Sequence, residues 1–305
     1  MSFPLMPMII PTSRPGISWE DIGNPAYGDL RMVASDVPGS IMAGAENYDV
    51  LYSSDYGSTF STKNVAAGVT TTYGVGFGFG KFVVTTELGL STAYASSDEG
   101  DTWATAFTGA LDNHSVTFND GYFVVGTGIE NGDGFVYFSS DGVLWRASPS
   151  TGNNSVQCGI YVGTLNRTFA CGISGQGKYR DNVPPYSGNG DTWTASALGL
   201  TGIVYNVAWS ETLGLAVCAS STGIFRSSSM ISWTQSLVTT SAMRAVAWCG
   251  DVFVAVGLAG KIYTSTDGAS WTERTSGTTE DLYGVVYSNG TIIATGDNGT
   301  VLRSS

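Results

Sequence analysis

A seven-bladed β-propeller is the fold class this sequence predicts, and three observations carry it. A short string ending in an aromatic residue recurs along the chain at intervals of roughly 40 residues. The segments between copies are rich in Val, Thr, Tyr and Phe and are punctuated by glycine, a pattern of short strands and tight turns, not of paired helices. The last repeat breaks off half-way, and its missing half stands at the start of the chain.

The string is clearest at Ser96-Ser97-Asp98-Glu99-Gly100-Asp101-Thr102-Trp103 and at Ser53–Phe60. Weaker copies end at Trp145, Trp193, Trp233 and Trp271. Serine, aspartate and glycine suit a tight turn, because the carboxylate can accept turn amides and glycine adopts backbone angles closed to other residues. The terminal tryptophan supplies a large apolar face to pack on the neighbouring sheet.

Within a repeat four strands are read. In the last complete one they are Arg244–Trp248, Asp251–Val256, Lys261–Thr264 and a fourth that begins near Trp271. The other inner strands start at Arg31, Tyr73, His114, Tyr205 and Tyr283. The fourth repeat is irregular: its inner strand falls within Val156–Tyr161 with no fixed register, and Tyr179–Tyr186 reads as an insertion. At the C-terminus Thr300–Ser305 aligns with Lys261–Thr266, while Pro15–Trp19 aligns with Asp267–Trp271. The N-terminal strand is therefore expected to complete the final blade and remove two exposed sheet edges. This divides the chain into an apolar segment, 1–12, and a propeller, 13–305.

Composition excludes several functions. The 305 residues are 42% hydrophobic and 12% charged, with 41 glycines and 9 prolines. A net charge of −12 on 13 basic residues supplies no footprint for nucleic acid or an anionic membrane surface. No run reaches membrane-spanning length, and Pro4, Pro7 and Pro11 interrupt the apolar start, which lacks the marks of a secretory signal. Cys158, Cys171, Cys218 and Cys249 lack metal-ligand spacing, and the single histidine is His114, so no metal or cofactor is expected. The cysteines read as small buried hydrophobes, with a Cys158–Cys171 bridge between neighbouring strands as the alternative.

The repeated string resembles the Asp-box, or BNR, repeat of sialidase-like and related propellers. The resemblance implies that Asp55, Asp98, Asp141 and Asp267 sit at the turn before the outermost strand and act as scaffold. It brings no sialidase activity: the Phe/Tyr-Arg-Ile-Pro tetrapeptide is absent, seven blades replace six, and the inner-strand starts offer two arginines, not three. Among non-enzymatic relatives the chain resembles tailed-bacteriophage virion propellers in its acidic, glycine-rich, degenerate repeats. The photosystem-assembly-factor type is a third reading, although the targeting signal and basic patch expected of it are missing.

Two regions are candidates for function. The top face gathers Tyr73, His114, Tyr205, Arg244 and Tyr283, with Tyr27, Arg31, Tyr48, Asp112, Glu280 and Asp281 nearby. Such aromatics beside polar groups can hold a glycan, and the plain alternative is a solvated rim. The second is the apolar start, with Phe3, Leu5, Met6, Met8, Ile9 and Ile10, which is expected to dock on its own propeller or on other virion proteins. The leading expectation is a non-enzymatic structural or binding propeller of a virion, assembled in the host cytoplasm. The alternative is a glycoside hydrolase or lyase acting on surface polysaccharide through a pair of the top-face carboxylates.

Overall fold

The computed structural model describes residues 18–304, apart from short stretches at 37–38, 47–48, 68, 70, 87–91, 109–112, 129–133, 153–154, 182–191, 198 and 200–201. The expected docking segment, with Phe3 to Ile10, lies outside the described residues.

The chain forms seven four-stranded antiparallel sheets, a seven-bladed β-propeller. The inner strands, in blade order, are Leu30–Ser35, Thr72–Gly78, Asn113–Asn119, Val156–Val162, Val204–Ser210, Met243–Trp248 and Leu282–Ser288. Each blade runs outward in sequence order. Blade 7 alone is split, because its outer strand is Glu20–Asp21, paired to Val301–Ser304 with Glu20 opposite Arg303. The ring is thus closed by the N-terminal strand.

The core is seven layers, one between each pair of adjacent blades. Buried residues of blades 4 and 5 form one cluster around Phe169, Cys218 and Met230, and the other six interfaces repeat the arrangement. The aromatic that ends each string belongs to the layer shared with the preceding blade. Trp103 packs on blade 1, Trp145 on blade 2 and Trp271 on blade 5, while Trp19 packs blade 7 on blade 6.

The string forms the turn between third and fourth strands. In blade 1 the buried Ser53 hydroxyl donates to Asp55 Oδ1 (2.8 Å) and accepts from the Gly57 amide (2.9 Å). Asp55 then accepts the Thr59 amide (2.8 Å) and hydroxyl (2.7 Å). Gly57 sits at φ +78°, where a side chain would be strained. Asp98 repeats this network, and Asp141 and Asp267 each accept two turn amides at 2.8 Å.

Two sequence expectations are corrected in blade 4. Cys158 and Cys171, read as separate buried hydrophobes, face each other across the first and second strands and form a disulfide. Cys218 and Cys249 are buried free thiols, and burial pushes both thiol pKa values up. Tyr179–Asp181, read as the start of an insertion, continues the third strand opposite Arg167–Phe169.

Candidate functional site

Seven side chains, one from each blade, meet at the mouth of the central channel: Arg31, Tyr73, His114, Gln157, Tyr205, Arg244 and Tyr283. With Met32 and Ser115 they line a cavity of about 230 Å³. A shared backbone irregularity puts them there. Each inner strand carries a bulge against its second strand, and the skipped residue is the ring residue in every blade; in blade 1 the skip takes in Met32 as well. A bulge re-aims a side chain that regular pairing would send into a blade interface. Glycine follows two of the tyrosines because the next blade lies close: a Cβ on Gly74 would stand 2.8 Å from the Val116 amide nitrogen, and one on Gly284 3.0 Å from the Arg31 carbonyl.

The five residues predicted for the top face are thus brought together, and Arg31 joins them. Gln157 was missed. The strand Val156–Val162 is apolar at nearly every position, so alternation gives no register. Its signal is the buried valine just before it, which matches Val204 before Tyr205 and Leu282 before Tyr283. Tyr48 and Asp112 lie outside the described residues.

The ring has two halves. From blade 5 to blade 1, guanidinium and phenol groups alternate. Arg244 lies 4.1 Å from the Tyr205 ring centre and 5.7 Å from that of Tyr283, and Arg31 lies 4.7 Å from Tyr283. Arg31 is ion-paired with Glu46, with Asp29 at 3.9 Å. Burial works to lower its pKa, but the Glu46 hydrogen bond and charge outweigh it and the pKa is raised. Tyr283 donates to Asp297 (3.1 Å). Burial holds the Asp297 carboxyl above its ordinary pKa despite that bond. In the other half, Gln157 donates to Ser155 Oγ (3.0 Å), which lies 3.0 Å from His114 Nε2, itself 3.0 Å from the Gly128 carbonyl.

Two carboxylates considered for hydrolysis have loop-holding partners. Asp281 accepts the Ala259 amide (2.7 Å) and Glu280 accepts Asn298 Nδ2 (2.7 Å). Among the described residues no group of three or more His, Cys, Asp or Glu side chains could hold a metal ion. No helix is long and apolar enough to cross a membrane. A larger open groove of about 680 Å³ flanks blade 6, but its charged groups are engaged: Lys261 pairs with Glu273, and Arg274 donates to Thr264 Oγ1 (2.9 Å). The channel mouth is therefore the better site.

No protein-family model matches the chain, and no curated protein matches it. Solved structures do. YCF48 bound to D1 peptide is similar over 94% of both chains, at 15% identity and a TM-score of 0.70. YCF48 from Cyanidioschyzon merolae is similar over 94% of this chain and 98% of its own, at 16% identity and a TM-score of 0.68. The WD40 propeller domain of Doa1 is similar over 91% of this chain and 93% of its own, at 14% identity and a TM-score of 0.72. At these identities the likeness establishes the β-propeller fold.

Proposed function

We propose that this chain is an Asp-box propeller acting as a non-enzymatic binding module of a virion appendage, and that its channel mouth holds a segment of a partner protein. The observation that carries the binding role is the bulge repeated in all seven inner strands, which turns one polar or aromatic side chain per blade toward a common cavity. A peptide suits the cavity better than a sugar. Sugar stacking needs open aromatic faces, and guanidinium groups stack on Tyr205 and Tyr283. A solved neighbour, YCF48, is itself bound to a peptide. The virion setting is supported by the acidic, glycine-rich composition and by the degenerate turn strings.

Printed arrays of peptides and of glycans test the role. The wild-type protein is expected to bind peptide spots, and a Tyr73→Ala/Tyr205→Ala variant to lose them. Val238→Ala, at the end of an outer strand, is expected to keep them. Binding confined to glycan spots, or release of reducing ends from a polysaccharide, overturns the reading. Immunogold labelling of phage particles tests the setting separately.

A further inference from the structure

We infer that the group recognised at this mouth is a carboxylate, held in the plane of the Arg244 guanidinium; the inference rests on the binding role proposed above. Arg244 differs from the other ring cation. Arg31 is neutralised by Glu46, whereas no carboxylate pairs with Arg244 among the described residues; the Nε–H of each arginine lacks an acceptor. A guanidinium in a cavity without an anion is incompletely satisfied, and a ligand that supplies one gains a charge-assisted bond without breaking an internal pair.

Tyr205 approaches from blade 5 and Tyr283 from blade 7, so aromatic rings flank the guanidinium. Its remaining donors are directed outward in its own plane. A planar carboxylate matches that fork with two parallel hydrogen bonds. Charge limits the ligand further. Asp29, Glu46 and Asp297 lie around Arg31 and Tyr283, and one free guanidinium balances one negative charge. A dianion such as phosphate leaves one charge facing these carboxylates. The other half, with Gln157 and Ser155, offers hydrogen-bonding groups to the backbone that carries the carboxylate.

The source can be a chain terminus or an acidic side chain, and one peptide set separates them. A capped tetrapeptide is made with a free or amidated C-terminus, each with glutamate or glutamine at its centre, and titrated calorimetrically into the full-length protein. At least one carboxylate form is expected to bind about tenfold tighter than the doubly neutral form. Which form does so identifies the source. R244M is expected to bind all four forms alike. R244K, with the charge kept and the fork lost, is expected to retain only part of the preference. Inorganic phosphate is expected to compete more weakly than acetate. Equal binding of neutral and acidic forms, or an undiminished preference in R244M, overturns the carboxylate assignment. If that equal binding is still lost in Tyr205→Ala, the mouth remains a binding site of other chemistry. No binding of any form up to about 10 mM overturns the assignment and removes this support for the binding role.

Discussion

The indole of Trp233 donates its Nε1–H to Ser196 of the preceding blade (3.0 Å), and that of Trp271 does the same to Ser236 (3.1 Å). Trp145 is packed in the same way, yet its Nε1–H is buried without an acceptor. The cause lies one blade back. Ser236 is the residue skipped in the outer-strand pairing of blade 5, and the residue skipped in blade 2 is Ala106. Ala106→Ser should supply the missing acceptor and raise unfolding stability by about 1 kcal/mol, measured by urea denaturation. Asp98 offers a test by pH. The hydroxyl of Thr102, its amide and the Ser96 hydroxyl hold the Asp98 carboxyl down at about 2, against an ordinary 3.8. A depressed carboxylate contributes stability above its unfolded value and loses it as pH falls through the folded one. The gap in melting temperature between wild type and Asp98→Asn should therefore be constant near neutrality and close between pH 3.8 and about 2. Equal gaps at both ends would show that the turn does not depend on the charged form. At this scale the sequence reveals residue type better than contact. Tyr205 and Arg244 stand at legible strand starts, but their stacking depends on the order of blades around the ring.

Blade 4 shows how much an element depends on register. Four strands per repeat, the turns between them and the marker aromatics are all legible, because each is a local pattern of two to eight residues. The Cys158–Cys171 bridge is not local. The two cysteines oppose each other only once Val162 is paired with Arg167, and nothing in the apolar run Val156–Val162 sets that pairing. The bridge closes a short loop, with a sequence separation of 13. By the chain-entropy model a loop of this size contributes about 3 kcal/mol. Both residues are fully buried, so reductant should act slowly on the native protein and quickly once it unfolds. The denaturant midpoint measured with reductant should fall well below that measured without it, and identical midpoints would show that the bridge does not constrain the unfolded chain. The same blade also supports its neighbour. The blade 5 turn has Ser229 in place of aspartate, and its one side-chain bond to a turn amide ahead, to Ile231, is long at 3.3 Å. The outer strand of blade 4 compensates: the Ala197 amide donates to the Ile231 carbonyl (2.7 Å) and the Ser196 hydroxyl to the Met230 carbonyl (3.0 Å). The loss of an aspartate from one repeat is explained by the strand beside it.

At the scale of the molecule, stability is distributed around a ring with no central core, and the ring is only as strong as its one non-covalent seam. Six blades are continuous in the chain. The seventh is held by Glu20–Asp21 on Val301–Ser304, by the Ile22 amide on the Val301 carbonyl (2.8 Å), and by Trp19 in the layer between blades 6 and 7. Removing residues 1–22 would therefore do two things at once. It would leave the edge of Val301–Ser304 unpaired, and it would take a large, partly buried aromatic out of an interblade layer, a loss below the roughly 3–5 kcal/mol of a fully buried tryptophan. The truncated chain is expected to melt at lower temperature and to elute as larger species on size exclusion. A relocation separates this seam from a requirement for the N-terminus as such. Residues 18–22 moved by a short glycine linker to follow Ser305 would reach the same edge, since Glu20 already lies opposite Arg303. The relocated chain should recover most of the melting temperature and the elution volume of the parent. Recovery demonstrates that closure is a matter of pairing and packing alone. Failure, with the linker long enough to make the turn, would mean that the seam takes its strength from chain connectivity.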